Sequence, residues 1–414
     1  MPSLAACSGT PVRTDPLHHW PVIDPKEREA VLAVYDSGNW GSLSGGRVAK
    51  FQDRFSKAHD AEWGVAVVNG TVALVVSLRA LDIGIGDEVI VPPYTFLATA
   101  TAVLEVGATP IFVDIDPETY NIDLNQIEDA ITPETKAIIP VHFAGLPVDL
   151  DQLLEIANRH GLKIIEDAAH AHGAKWDGKG CGSFGDTGCF SFQASKNMNA
   201  GEGGIIIGND QSVLDRVRAY MNCGRLPDSL WYEHHVLGGN FRMTEFQAAI
   251  MLGQLDRLDE DTETRNQNGL FLNDGFSQIP GLTPTARGFG ETNQAYHLYI
   301  LKFDPKVFGQ IDKFQFGKAM EAEGTPMSTG YYVPLYKQPL FTEQNFWPKN
   351  SPKSAAMYTD LPDYGAMRLE ATETACSDEA LWIEQYILLG DRQTMQDYID
   401  AAAKIHENQG ELAE

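Results

Sequence analysis

Lys163-Ile164-Ile165-Glu166-Asp167-Ala168-Ala169-His170 is a short apolar run that ends in two carboxylates, two small residues and a histidine. A run of this length and composition reads as a buried strand with polar groups at its carboxyl end. Similar β-rich runs flank it at Val65–Val68, Glu88–Val91, Pro110–Val113, Ala137–Val141, Gly188–Phe192 and Gly204–Gly208. Between them lie stretches of helical character, Gly70–Leu81, Asp123–Ile131 and Asp149–His160. Strand–helix alternation predicts an α/β fold with a mainly parallel sheet and helices on both faces. Such sheets bind ligands at the carboxyl ends of their strands, which is where the polar and glycine-bearing motifs fall.

Working outward, residues 1–40 read as a poorly patterned arm that folds back over the site, 41–255 as the large domain and 256–414 as a smaller C-terminal α/β domain. A long helical pattern runs from Thr244 to about Leu270. The second unit then shows a strand at Tyr296–Phe303, a helix near Lys313–Glu323, a strand-like Leu381–Leu389 and a closing helix over Arg392–His406. The Pro- and Gly-containing stretch Tyr332–Tyr364 reads as a surface excursion.

The 414 residues carry 57 acidic and 31 basic side chains, a formal charge of −26. A dispersed negative field of this size disfavours nucleic acid and anionic membranes as partners. No apolar window of ~18 residues suggests a membrane span, and residues 1–16 lack the pattern of a secretory signal. Five scattered cysteines without a C-x-x-C pair fit neither a disulfide framework nor a zinc site, and they point to the cytoplasm.

Four motifs carry candidate chemistry. Val68-Asn69-Gly70-Thr71 joins a strand to a helix, so bare backbone N–H groups and a hydroxyl meet at a helix N-terminus, a phosphate cradle. An ordinary helix cap has the same composition. Pro92-Pro93-Tyr94-Thr95-Phe96 puts aromatics at a strand end, where one can stack on a flat heteroaromatic ring or simply fill the core. Asp167 is placed to pair with a protonated pyridine nitrogen, with Ala169 small enough to let the ring lie flat; a strand-end cap is the alternative. Lys196 stands alone between Phe190-Ser191-Phe192-Gln193 and Gly201-Glu202-Gly203-Gly204. A partly desolvated lysine there forms imines readily, whereas an isolated lysine is ordinarily a solvated charge.

Taken in order with Asn240-Phe241-Arg242-Met243-Thr244, these motifs resemble the DegT/DnrJ/EryC1/StrS aminotransferase family over nearly the whole chain, from about Asn39 onward. The resemblance implies a fold-type-I enzyme that uses pyridoxal 5′-phosphate, and a homodimer whose active sites are each built from both subunits. It makes Lys196 the cofactor-linking lysine and general base, Asp167 the partner of the pyridine nitrogen, Phe96 and Ala169 the two faces of the ring's slot, and His170 the neighbour of its hydroxyl. Gly70, Thr71 and Ser191 become phosphate ligands, and Asn240 and Arg242 the segment that reaches the neighbouring subunit's cofactor. Many nucleotide-sugar members read Ser-Phe-His before the lysine; this chain reads Ser191-Phe192-Gln193, as do scyllo-inosose aminotransferases and 3-amino-5-hydroxybenzoate synthase. That tilts the expected substrate toward a free keto-cyclitol or keto-sugar contacted by Gln193, with glutamate or glutamine as donor and ping-pong kinetics. A nucleotide-linked keto-sugar is the alternative, for whose diphosphate Arg225 and Lys337 are the basic candidates. A non-catalytic regulator on the same fold is a further reading; the intact Lys196 and Asp167 count against it. A related set of dehydratases carries His in place of the lysine.

Overall fold

The computed structural model describes residues 3–287, 290–309, 311–346 and 361–412. Seven strands form the central sheet: β1 (Trp63–Val67), β2 (Glu88–Val91), β3 (Thr109–Phe112), β4 (Thr135–Ile138), β5 (Lys163–Asp167), β6 (Thr187–Ser191) and β7 (Gly204–Gly208). Their order is β1-β7-β6-β5-β4-β2-β3. The pairs β2–β3, β2–β4, β4–β5 and β5–β6 are parallel, and β7 runs antiparallel to both its neighbours. The strands β6 and β7 are buried at every residue. Helices cover both faces of the sheet, so these strands read as near-continuous apolar runs without alternation.

Two helices begin at strand ends and aim their N-termini toward the site. Helix α3 (Gly70–Ala80), which comes after α1 (Pro25–Ser37) and α2 (Arg47–Ala58), follows β1, and the side chain of Asn69 caps it by accepting from Val72 N–H at 2.8 Å. Helix α4 (Ala98–Glu105) follows β2. On the opposite face, α5 (Leu150–His160) presents Leu150, Leu153, Ile156 and Ala157 to the core, the i, i+3 and i+4 spacing of a helix with one dry face. A long helix, α6 (Glu245–Phe276), starts with a reciprocal Thr244–Gln247 capping box and passes from the large sheet to the C-terminal unit. The expected domain boundary at 255/256 falls inside this helix. The C-terminal unit is a three-stranded antiparallel sheet, β8 (Leu282–Pro284), β9 (Leu298–Phe303) and β10 (Ala380–Glu384), covered by α7 (Lys313–Ala322) and α8 (Arg392–Asn408).

Four local expectations are corrected. Residues 123–131 form two 3₁₀ turns in place of one helix; so short a segment is marginal as an α-helix, and the Asp123 side chain instead bonds Asn125 N–H locally. The stretch read as a surface excursion is anchored: Leu335, Tyr336, Phe341 and Tyr364 are buried in the core of the large sheet, and Tyr364 donates to Pro110 O at 3.0 Å. Their irregular spacing among prolines hid this from a periodicity argument, and residues 347–360 of the stretch lie outside the described residues. The strand expected from Tyr296 starts at Leu298, with Tyr296 at φ 46°. The strand expected over 381–389 ends at Glu384, and Ile387–Leu389 forms a 3₁₀ turn.

The N-terminal arm has structure of its own. Pro25–Ser37 is helical and lies on α6, Leu4 is buried in the core of the C-terminal unit, and Trp20 Nε1 donates to Ala194 O, two residues before Lys196.

Candidate active site

A cavity of about 580 Å³ opens where β1, β2, β5 and β6 end, large enough for a cofactor-sized molecule. Gly70, Thr71, Phe96, Asp167, Ala169, His170, Ser191, Gln193 and Lys196 all line it. Nine residues singled out from the sequence, spread over 127 positions of chain, thus meet in one place. Asn240 and Arg242 do not line it: Asn240 is exposed, and Arg242 Nη1 donates to Asn222 Oδ1 at 2.7 Å. Arg225 and Lys337 also lie elsewhere. Arg225 sits 5.7 Å over the Trp231 ring, and Lys337 pairs with Glu373 at 2.8 Å.

The two carboxylates of the Glu166-Asp167 pair do different work because successive strand residues face opposite ways. Glu166 is fully buried and saturated. It accepts from Gly182, Phe184 and Gly185 N–H at 2.7–2.8 Å and from His142 Nε2 at 2.9 Å. Burial raises its pKa, but His142 and the backbone donors outweigh that and hold it below the usual range. Since His142 Nδ1 accepts from Val148 N–H, the proton of that ring sits on Nε2. Glu166 is therefore an internal tie.

Asp167 faces the cavity. It accepts from Thr99 Oγ1 at 2.8 Å and Ala169 N–H at 3.2 Å, and among the described residues it has no ion-pair partner within 4 Å. Burial pushes its pKa up, against the opposing pull of Thr99, Ala169 N–H and Lys196. A buried carboxylate without a counter-charge is costly, and a ligand carrying a cationic ring nitrogen supplies what it lacks.

In the same cavity, neither Gly70 N–H, Thr71 N–H nor the Thr71 hydroxyl has a partner among the described residues. They stand at the N-terminus of α3, where four N–H groups have no helical acceptor. A Cβ on Gly70 would lie 2.8 Å from Ser191 Cβ, so only glycine lets the helix start this close to the serine. The combination suits a phosphate.

Lys196 lines the same cavity. Burial lowers its pKa to about 8, with Asp167 pulling the other way, so about a tenth is free amine at pH 7, far more than for an ordinary lysine. A residue that the sequence did not mark stands beside it: His297 Nε2 is 3.5 Å from Lys196 Nζ. Asn197 Nδ2 donates to Ala295 O at 2.8 Å, which turns Asn197 Oδ1 toward His297 Nδ1 at 3.1 Å. His297 must then carry its proton on Nδ1 and present a lone pair to Lys196. His170 lies beside it, tilted by 38°, with ring centroids 4.2 Å apart. Its Nδ1 accepts from Ala144 N–H, which leaves an Nε2–H donor. Burial depresses the pKa of both rings well below normal, so both are neutral. His297 sits in the apolar run Ala295-Tyr296-His297-Leu298-Tyr299, where a lone histidine reads as core, and its partner Asn197 is 100 residues away.

Gln193 is exposed at the mouth, and its Oε1 accepts from Ser195 N–H and Ser195 Oγ at 2.9 and 2.8 Å. Its amide nitrogen, a pure donor, is the group left for a ligand.

A parallel-sheet large unit, a helix-start anion cradle, a buried carboxylate and a desolvated lysine in one cavity define a fold-type-I transferase. Residues 21–378 match the model of the DegT/DnrJ/EryC1/StrS aminotransferase family, and the chain belongs to that family. It is 34% identical to the L-glutamine:2-deoxy-scyllo-inosose aminotransferase of Micromonospora echinospora over 100% of both chains. It is 33% identical to the 3-amino-5-hydroxybenzoate synthase of Amycolatopsis mediterranei, over 89% of this chain and 92% of that one. A crystal structure of 3-amino-5-hydroxybenzoic acid synthase superposes with a TM-score of 0.84 at 30% identity, covering 96% of this chain and 100% of the other. The chain is an aminotransferase.

Proposed function

We propose that this aminotransferase uses pyridoxal 5′-phosphate and moves the amino group of L-glutamine to a free keto-cyclitol. The observation that carries the cofactor is that the buried Asp167 carboxylate, without an ion-pair partner among the described residues, lines one cavity with the start of α3 and its free N–H donors. Gly70, Thr71 and Ser191 would hold the phosphate, Phe96 and Ala169 the ring faces, Asp167 the ring nitrogen, and the His170 Nε2–H the ring hydroxyl. The cofactor supplies an aldehyde and an electron sink. Lys196 is the amine that links to it and, once released, the base that removes and returns the proton at the reacting carbon. His297, with its lone pair fixed toward Nζ, holds the released lysine over the reaction.

The acceptor assignment rests on charge. Among the described lining residues Lys196 is the one lysine or arginine, while Glu202 and Glu384 also line the cavity. A sugar diphosphate has no basic side chain to meet within this subunit; an uncharged polyol needs only hydrogen bonds, such as the Gln193 amide donates. The shared scyllo-inosose substrate class of the M. echinospora relative agrees. Specificity constants for scyllo-inosose-type ketones should exceed those for dTDP- or UDP-linked keto-sugars by at least ~100-fold, the size expected when a buried charge goes unpaired. A preference for the nucleotide-linked substrates would move the chain to the nucleotide-sugar branch.

The working unit is a homodimer with shared sites. Leu230, Trp231, Tyr232 and Leu237 are each 73% or more exposed, an apolar patch of the kind that marks an interface, and they lead directly into Asn240 and Arg242. Mixing the inactive variants Lys196→Ala and Arg242→Ala should therefore restore up to about a quarter of the activity, as one mixed-dimer site in two is intact under random exchange. No recovery with subunit exchange demonstrated would place Arg242 outside the site.

A further inference from the structure

The amino donor brings an α-carboxylate into a cavity whose one lysine or arginine among the described lining residues, Lys196, is occupied with the chemistry. Gln385 follows directly on β10, lines the same cavity, and is 1% exposed. Its Oε1 accepts from Arg265 Nη2 at 2.7 Å and from Arg265 Nε at 3.2 Å. A guanidinium has only donors, so the amide oxygen must face Arg265 and the NH₂ must face the other way. That NH₂ makes one long contact, 3.4 Å to Ser195 O, beside Lys196, and keeps a second N–H for a ligand.

Arg265 is itself fully buried on α6. It has no carboxylate within 4 Å among the described residues, and its Nη1 has no hydrogen-bond partner. Asp261, one turn earlier, pairs with Arg257 at 3.5 Å. The one acidic neighbour of Arg265 among the described residues, Asp261, lies beyond ion-pair distance and is shared with Arg257, so a largely uncompensated interior cation stands one amide away from the cavity. Its field passes through protein, whereas Glu202 and Glu384, the other carboxylates of the lining besides Asp167, are exposed and screened by solvent.

We propose that Gln385, locked nitrogen-forward by Arg265, is the contact for the amino donor's carboxylate, and that Arg265 acts through it as the counter-charge. This rests on the aminotransferase reading above. A ping-pong enzyme takes donor and acceptor in turn at one site, so the proposal predicts a split that a merely structural tie between β10 and α6 would not give. Gln385→Glu keeps an oxygen partner for Arg265 and removes both N–H donors. It should raise KM for L-glutamine by about 10- to 100-fold, the worth of a hydrogen bond to a charged group. KM for the uncharged keto-cyclitol should change little, as should that for an aminocyclitol, which lacks a carboxylate, used as donor in the reverse direction. Gln385→Asn, which withdraws the amide by one methylene, should show the same donor-selective loss to a smaller extent. Equal effects on donor and acceptor, or an unchanged KM for glutamine in both variants, would overturn the carboxylate contact while leaving the aminotransferase reading intact. A wild-type enzyme that accepts no α-amino acid would instead overturn that reading, and this proposal with it.

Discussion

Lys196→Ala should lower turnover by at least ~10⁴-fold, the upper end of what a positioned general base contributes, because the variant loses both the linking amine and the proton carrier. The fold should survive. Lys196 makes no ion pair among the described residues, and burial already depresses its ammonium form, so removing it takes away a desolvation cost and leaves few contacts behind. Circular dichroism and the melting temperature should match the wild type. A second readout uses the depressed pKa. Covalent capture of added cofactor by the wild-type apoprotein needs the free amine, whose share grows as pH rises. The capture rate should climb about tenfold per pH unit at low pH and level off above about 8, and the alanine variant should show no such phase. Stopped-flow absorbance of the imine follows it. Residual turnover near the wild-type level would remove Lys196 from the chemistry.

Asp167→Asn should bind the cofactor yet lose at least ~100-fold in each half-reaction, the scale of removing one preorganised electrostatic partner. The asparagine oxygen can still accept from Thr99, which donates to Asp167 at 2.8 Å, so the side chain keeps its place. What disappears is the negative charge that holds a ring nitrogen protonated. Binding persists because the substitution leaves the lining donors at Gly70, Thr71 and Ser191 in place. Single-turnover rates with glutamine and with the ketone measure the two halves separately. Near-full rates would make Asp167 a strand-end cap.

The sheet was legible because its strands are buried on both faces. Glu88–Val91 and Gly204–Gly208 have the ends expected from the sequence, as an uninterrupted apolar run between turn residues should. The cavity's local motifs were legible too, since each is a strand end followed by residues that cannot continue the strand. What escaped depends on contacts between distant segments. His297 and Gln385 are oriented by Asn197 and Arg265, 100 and 120 positions away, and neither pair leaves a periodic or compositional mark. Leu335, Tyr336, Phe341 and Tyr364 reach the large sheet from the C-terminal half of the chain, through a segment whose prolines break any pattern. The Glu166–Asp167 pair shows the limit within a motif: period-2 alternation puts the two carboxylates on opposite sides, but only the Gly182–Gly185 turn tells which one is saturated.

As the reactive lysine, Lys196 has a competitor within the chain. Lys313 is also buried, and its pKa too falls to about 8. Its Nζ, however, donates to Ala375 O and Cys376 O at 3.1 and 2.6 Å, and it does not line the cavity. Depressed basicity alone therefore does not single out the reactive lysine; the cavity does. Borohydride reduction of the cofactor-loaded enzyme, followed by proteolysis and mass mapping, separates the two directly. A pyridoxyl-phosphate adduct on the peptide that carries Lys196, and on no other lysine, is the predicted result; an adduct on Lys313 or elsewhere, or none at all, would contradict it.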